Sequence, residues 1–373
     1  MKLQMPFFIV VMAICMLYAI RGSGRKDKRR CVIIITVMLT LFSGLRSWWM
    51  GDLIKYYTQY LACNGENWKE AITSGSGNFG LRFFFRFAGA LGISYDNCIL
   101  IIAAFVAVSL GVLVYRYSPS PFWSYTMYIA MGFYMFTYSG LKQAVAMGFL
   151  IFAAMAMFER KFWKYLVYVA IGGLFHMPAF IFLAAYPFCR QKLNYRYILV
   201  LITLVAVIAL FRTQIVNFMN EIYYDEADSF SDTTEVGGRF IVMVLIMFMG
   251  VILRPLHKWD RIYLQVFNLM VLAAALQTMS VFGNVFSRLA DYYYQFVVLY
   301  MPMILQTGRS QAREMPQHRA EIRYWHPNNY LLLGIAIVVF SFWFHGSQID
   351  AAYLILQDFV FRWEIDPYAL YGH

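Results

Sequence analysis

Apolar runs of near-helical length follow one another along the whole chain, separated by short segments rich in Lys and Arg. They fall near 4–20, 31–47, 97–115, 121–138, 142–158, 162–174, 177–189, 196–211, 239–256, 262–282, 289–307 and 329–345. A helix crosses the hydrocarbon of a bilayer in about 20 residues, and only helices and closed barrels satisfy every backbone group there. These runs are too long and continuous for barrel strands. A chain that is 61% hydrophobic and 14% charged, where a soluble domain carries roughly 25% charge, cannot hide its side chains in one water-soluble core. The sequence therefore predicts an all-α polytopic membrane protein with about 10–12 transmembrane helices. Residues 1–373 form a single transmembrane domain in this reading. The runs 162–174 and 177–189 are short for full spans and predict a helical hairpin that turns at His176-Met177-Pro178.

Charge orients the path. Lys and Arg cluster in every second loop, beginning with Arg21 to Arg30, whereas most acidic residues fall in the alternate loops. The positive-inside rule then places both termini on the external side. The first run has its positive charge after the apolar stretch, the reverse of a cleavable signal, and so predicts a first membrane helix. The formal net charge of +11 has the same origin. Its dispersal in short runs between apolar stretches excludes a nucleic-acid patch.

The five cysteines show no metal-ligand spacing. Cys63 and Cys98 share one predicted external segment and either pair or stay free. The external segments, about 46–96 and 212–238 with a tail at 346–373, are the parts long enough for chemistry. The first holds a turn at Ser74 to Gly80, followed by a short amphipathic helix with Arg82 and Arg86 one turn apart. No internal repeat, nucleotide-binding loop, zinc motif or nucleophile elbow is evident.

Charged side chains at membrane depth cost at least a few kcal/mol and tend to be functional or paired. Arg46, Lys142, His176, Arg239, Arg288 and Asp291 lie at the predicted external ends of runs far apart in sequence. Each basic side chain alone can be a snorkelling residue. Several together, on the side that the positive-inside bias depletes of cations, suit a pyrophosphate bound by guanidinium and ammonium groups in a low dielectric. Asp52 follows Arg46 closely and either takes a proton from a hydroxyl or holds an arginine. His176 titrates near neutrality and is either a base or a hydrogen-bonded structural residue at a helix break. Arg288, Asp291 and Tyr292 share one helical face. Tyr292, Tyr223 and Tyr224 either stack on sugar rings or belong to the interfacial aromatic belt.

Several short segments carry a resemblance. Gly44-Leu-Arg46 followed by Gly51-Asp52 and Tyr56-Tyr57, Ser139-Gly-Leu-Lys-Gln143, Phe175-His176-Met-Pro-Ala, Gly238-Arg239, Ser287-Arg288-Leu, Met301-Pro302 and Asp366-Pro-Tyr368 are together similar to the EpsG/Wzy-like family of bacterial polysaccharide polymerases. Two positions depart from the family's pattern. Lys142 stands where Arg is more usual, and Asn78 where an acidic residue before glycine is common.

The resemblance implies a GT-C-like membrane glycosyltransferase of the bacterial cytoplasmic membrane. Its substrate would be an undecaprenyl-diphosphate-linked oligosaccharide, and it would need neither cofactor nor metal. The reaction would be inverting glycosyl transfer on the external face. Arg46, Lys142, Arg239 and Arg288 would bind the diphosphate. Asp52 or His176 would act as the base, and Asp291, Tyr292, Tyr223 and Tyr224 would contact sugar. Membrane lipid surrounds such a protein, and a flippase and a chain-length regulator are its expected partners. Competing readings are a lipid-oligosaccharide flippase, a ligase or O-acetyltransferase acting on lipid-linked sugar, and a scaffold of an export complex. A transporter would place polar residues at mid-depth, often with repeat symmetry. Here the unusual charges gather at one face.

Overall fold

Backbone groups with no water to meet are satisfied internally by helices, and helices make up most of the described residues. The computed structural model describes residues 4–21, 24–47, 53–73, 79–191, 203, 207, 210, 211, 213, 214, 217, 238–252, 261–282, 284–307, 327–352 and 361. Among them the helices in chain order are α1 (Gln4–Arg21), α2 (Arg25–Gly44), α3 (Leu53–Gly65), α4 (Trp68–Thr73), α5 (Phe79–Ala90) and α6 (Tyr95–Tyr117). There follow α7 (Pro121–Ala130), α8 (Phe133–Phe136), α9 (Leu141–Phe158), α10 (Phe162–Phe175) and α11 (Ala185–Phe188), the last preceded by a 3-10 turn at Met177–Ala184. The chain continues with α12 (Gly238–Ile252), α13 (Arg261–Thr278), α14 (Asn284–Tyr294), α15 (Val297–Pro302) and α16 (Pro327–Ala352). One isolated bridge joins Arg46 to Phe361, and no strand occurs among the described residues.

Within the described residues α1, α6 and α9 are long and apolar enough to cross a bilayer, and Phe162–Phe175, Met177–Phe188 and Leu332–Phe344 are shorter apolar helical stretches. Exposed side chains such as Ile20, Trp163, Leu332 and Trp343 are the lipid-facing surface that such a protein needs. The expected runs at 97–115 and 142–158 coincide closely with α6 and α9. Most of the expected run at 196–211, of the external segment at 212–238 and of the tail lies outside the described residues.

Two runs break where continuous helices were expected. The run 121–138 divides into α7 and α8 at Gly132, which adopts φ +82°, a left-handed conformation that glycine enters without a Cβ penalty. The run 289–307 begins earlier, at Asn284, and divides into α14, α15 and a π turn at Met303–Thr307. The hairpin at 162–189 is α10 turning into the 3-10 segment at His176, with Pro178 in its first turn. Proline lacks the N–H that would continue the preceding helix.

The core has two parts. The larger joins α1, α2, α6, α7, α9, α13, α14 and α15 through buried residues such as Phe8, Ile35, Leu113, Leu150, Phe267 and Tyr300. The smaller is made by the segment that the sequence placed outside. Leu53, Cys63, Leu81 and Phe85 pack with Ile99 and Val145 from the ends of α6 and α9. Arg82 braces this module, its Nε donating to the Ala71 carbonyl at 2.6 Å and a second nitrogen meeting Glu66 at 3.4 Å. Cys63 and Cys98 are both buried and free, as are the other three cysteines. The module is fastened to α10 at Gly80, where an added Cβ would lie 3.0 Å from the Leu174 carbonyl.

At the opposite end, Glu159 joins the close of α9 to that of α6. It meets Lys161 at 2.5 Å and Arg116 at 3.5 Å. The Lys161 ammonium holds the Glu159 carboxyl below the usual carboxylate range. This is one of the basic loops that the orientation argument placed inside.

Candidate functional site

Three separate parts of the chain converge on His176. The histidine closes α10 in an extended conformation (φ −149°, ψ 104°). Its N–H donates to Gly172 at 3.0 Å, and its carbonyl accepts from Ala179 at 2.9 Å. These bonds are local, which is why a helix break with Pro178 behind it can hold the ring steady. The ring's Nδ1 hydrogen-bonds the Tyr292 hydroxyl of α14. Lys142, in the first turn of α9, and Arg288 of α14 lie close enough that both positive charges act on the imidazole. Gln143 ties α9 to α14 directly, its Nε2 donating to the Arg288 carbonyl at 3.0 Å.

Burial differs within this group. Lys142 and His176 are each 7% exposed and Asp291 6%, while Tyr292 is fully enclosed. Arg288 is exposed. The Tyr56 ring of α3 lies against Lys142, its centre 5.8 Å from Nζ, a distance at which a cation is attracted to the aromatic face. Tyr292, Tyr293 and Tyr294 all point inward. Tyr293 donates to the Ile181 carbonyl at 2.5 Å and Tyr294 meets the Met131 sulfur at 3.3 Å.

Arg46 follows the end of α2 and is buried. One terminal nitrogen donates to the Ser43 carbonyl and, at 2.8 Å, to the Ser43 hydroxyl. The other donates to the carbonyls of Thr137 at 3.0 Å and Tyr138 at 3.4 Å. Its guanidinium lies 5.2 Å from the centre of the Tyr138 ring, while Nε is buried without a hydrogen bond among the described residues. Arg46 thus fastens α2 to the turn between α8 and α9, the turn that delivers Lys142. It also lines an apolar crevice with Leu39, Ile102, Val106, Tyr128 and Leu141. Tyr95 donates to the Leu53 carbonyl at 2.7 Å and packs against the rings of Tyr57 and Tyr60, with centroids 5.3 and 5.7 Å away.

Of the residues that the sequence singled out, Lys142, His176, Arg288 and Tyr292 come together, and Arg46 is tied to the turn that leads into Lys142. Asp291 sits beside them on α14. Asp52, Tyr223 and Tyr224 lie outside the described residues. Arg239 lies in α12, but its side chain lies outside the described set. Among the described residues no group of three or more His, Cys, Asp or Glu side chains could hold a metal ion.

Sequence reasoning did not anticipate the pairing of Tyr292 with His176, the bridge from Gln143, or Tyr56 beneath Lys142. Gln143 and Tyr56 stand inside the segments that resemble the family, which was their one signal.

Apolar helices around Lys142, His176 and Arg288, the first two buried and the last exposed, define a multi-helical membrane protein. The chain belongs to the EpsG family, whose family model matches residues 29–315, and is thus a membrane protein of the polysaccharide-polymerase type. That span contains Arg46, Lys142, His176, Arg239, Arg288 and Tyr292. No curated protein and no solved structure matches the chain.

Proposed function

We propose that the protein joins undecaprenyl-diphosphate-linked oligosaccharide repeats by inverting glycosyl transfer at the external face of the bacterial cytoplasmic membrane. In this reading a sugar hydroxyl of the incoming repeat attacks the anomeric carbon of the growing chain. The bond from that carbon to the diphosphate breaks, the lipid diphosphate leaves with the bonding electrons, and the hydroxyl proton passes to a base.

The observation that carries the proposal is the convergence of Lys142, His176 and Arg288 from α9, the end of α10 and α14. Cations fixed where negative charge develops stabilise a leaving diphosphate, and more so where water is excluded. Exposed Arg288 offers a guanidinium fork to the phosphate oxygens. Lys142 adds charge from below, and Arg239 is proposed to complete the seat. Arg46 is proposed to serve the diphosphate as well, its bonds to Thr137 and Tyr138 holding the turn that leads into Lys142. His176 is the favoured base because its ring is held by Tyr292, and Asp52 is the other candidate. Asp291, Tyr223 and Tyr224 are proposed to meet sugar. The transfer is proposed to need no metal. A flippase supplying the repeat and a chain-length regulator are the proposed partners.

The test uses the purified full chain in lipid nanodiscs with lipid-linked repeats, and reads product length on a gel. Chain extension that persists in EDTA and falls in Arg288→Ala and Lys142→Ala variants of normal abundance is the expected result. Normal extension in both variants would sink the diphosphate assignment. Movement of repeats across a liposome membrane without extension would favour the flippase reading.

A further inference from the structure

The outward face of α5 carries Phe79, Phe83 and Phe87 at successive i, i+4 positions, with Leu91 continuing the line just past the helix end. They are 45%, 45%, 49% and 62% exposed. The rings of Phe79 and Phe83, and of Phe83 and Phe87, stack with centroids 6.2 Å apart and planes within 11°. Trp68 of α4 flanks the ladder 6.3 Å from Phe83, and the Arg86 guanidinium lies 4.8 Å from the centre of the Trp68 ring. The other face of α5, with Leu81, Arg82, Phe85 and Ala88, is already buried in the small core. The helix is therefore apolar on two sides, and the outward one, flanked by Trp68, is left about half exposed.

We infer that this ladder is embedded in the outer part of the lipid leaflet in which α10 ends, making α5 an interfacial helix that anchors the module to the bilayer. Position argues for lipid as the occupant. Gly80 brings the start of α5 against Leu174 and Phe175 at the close of α10. Leu174, Met177 and Phe180 there are themselves exposed large apolar residues, so the ladder extends a surface that α10 already presents to hydrocarbon. The edge chemistry agrees. A tryptophan with an arginine over its ring suits the headgroup boundary, where the ring is dry and the cation wet. At 12 residues, α5 is too short to span a bilayer, but a helix lying in the interface with one apolar face dipped a few ångströms into acyl chains needs no such length. A row of bare phenylalanines in water would instead be an aggregation-prone patch.

The experiment places a nitroxide label at Phe83→Cys, Phe87→Cys and Lys69→Cys, one variant at a time, in the full chain reconstituted in phosphatidylethanolamine/phosphatidylglycerol nanodiscs. Collision rates with oxygen and with a water-soluble nickel chelate are then read by power-saturation EPR. All five native thiols are buried, and unsubstituted protein treated with the label gives the background. Labels at 83 and 87 are expected to favour oxygen several-fold over the label at Lys69, which is exposed on α4. Nickel accessibility at 83 and 87 equal to that at 69 would overturn the inference. So would dipolar broadening between labels at 83 that disappears on dilution with unlabelled protein, which would mean that a second copy covers the ladder. Either labelled position suffices if the other variant fails to fold.

Discussion

The Tyr292 hydroxyl and the Nδ1 of His176 hydrogen-bond across 116 positions of sequence, joining α14 to the broken end of α10. The bond leaves Nε2 as the imidazole nitrogen not engaged by Tyr292. For Nε2 to accept a proton, Nδ1 must carry the hydrogen and donate it to the phenol oxygen, since one nitrogen of a neutral imidazole is a donor and the other an acceptor.

Two variants follow from that geometry. His176→Ala is expected to lower the rate of chain extension by about 10²–10⁴, the usual contribution of a positioned acid or base. Tyr292→Phe keeps the packed ring and removes only the hydroxyl, so it should cost less and should also move the pH–rate profile. A Tyr292→Phe protein with an unchanged rate and an unchanged profile would remove the pair from the mechanism.

Arg288 and Lys142 should separate by stability. Arg288 is exposed, so Arg288→Ala should leave thermal unfolding within about 0.5 kcal/mol of the parent, as surface changes do, while extension falls. Arg288→Lys restores charge without the fork and should recover extension only in part. Lys142 is buried against Tyr56, and Lys142→Met should retain the packing of the stem and lose the charge. Melting curves measured beside product length decide whether each residue acts in chemistry or in folding.

How far the sequence reached is visible in these same residues. Apolar length located α6 and α9 almost to the residue, because hydrocarbon thickness sets the length of a span whatever surrounds it. It failed at α14, where Asn284, Ser287, Arg288 and Asp291 dilute the hydropathy of a helix whose following tyrosines face protein. It failed also at Gly132, since a single left-handed residue leaves no trace in an average. Lys142, His176 and Arg288 were legible because charge at membrane depth is costly and therefore rare. Their partners were not, because the hydroxyl of Tyr292 and the amide of Gln143 find His176 and the Arg288 carbonyl only after the helices pack.

Gly132 offers a test of the break between α7 and α8. At φ +82° an L side chain costs roughly 1–2 kcal/mol, so Gly132→Ala should lower the melting temperature in detergent. Gly132→Asn, which tolerates the left-handed region better, should lower it less. Equal melting of the three proteins would mean that the break does not depend on this residue.

The module below α5 should open before the membrane core, and Arg82 decides when. Its guanidinium is enclosed, donates to the Ala71 carbonyl and meets Glu66. Arg82→Met retains much of the stem's volume but strands a buried carbonyl, at a cost of about 1–3 kcal/mol. Arg82→Lys supplies one charge in place of a planar fork and should rescue little. The Cys63 sulfur lies 3.8 Å from that same Ala71 carbonyl, so loosening here exposes Cys63. Thiol labelling of the Arg82→Met protein, mapped by mass spectrometry over a temperature ramp, should therefore show Cys63 reacting before Cys15 and Cys189, which are buried in the larger core. Simultaneous labelling of all three would mean that the module and the core unfold as one unit, and that Arg82 braces nothing of its own.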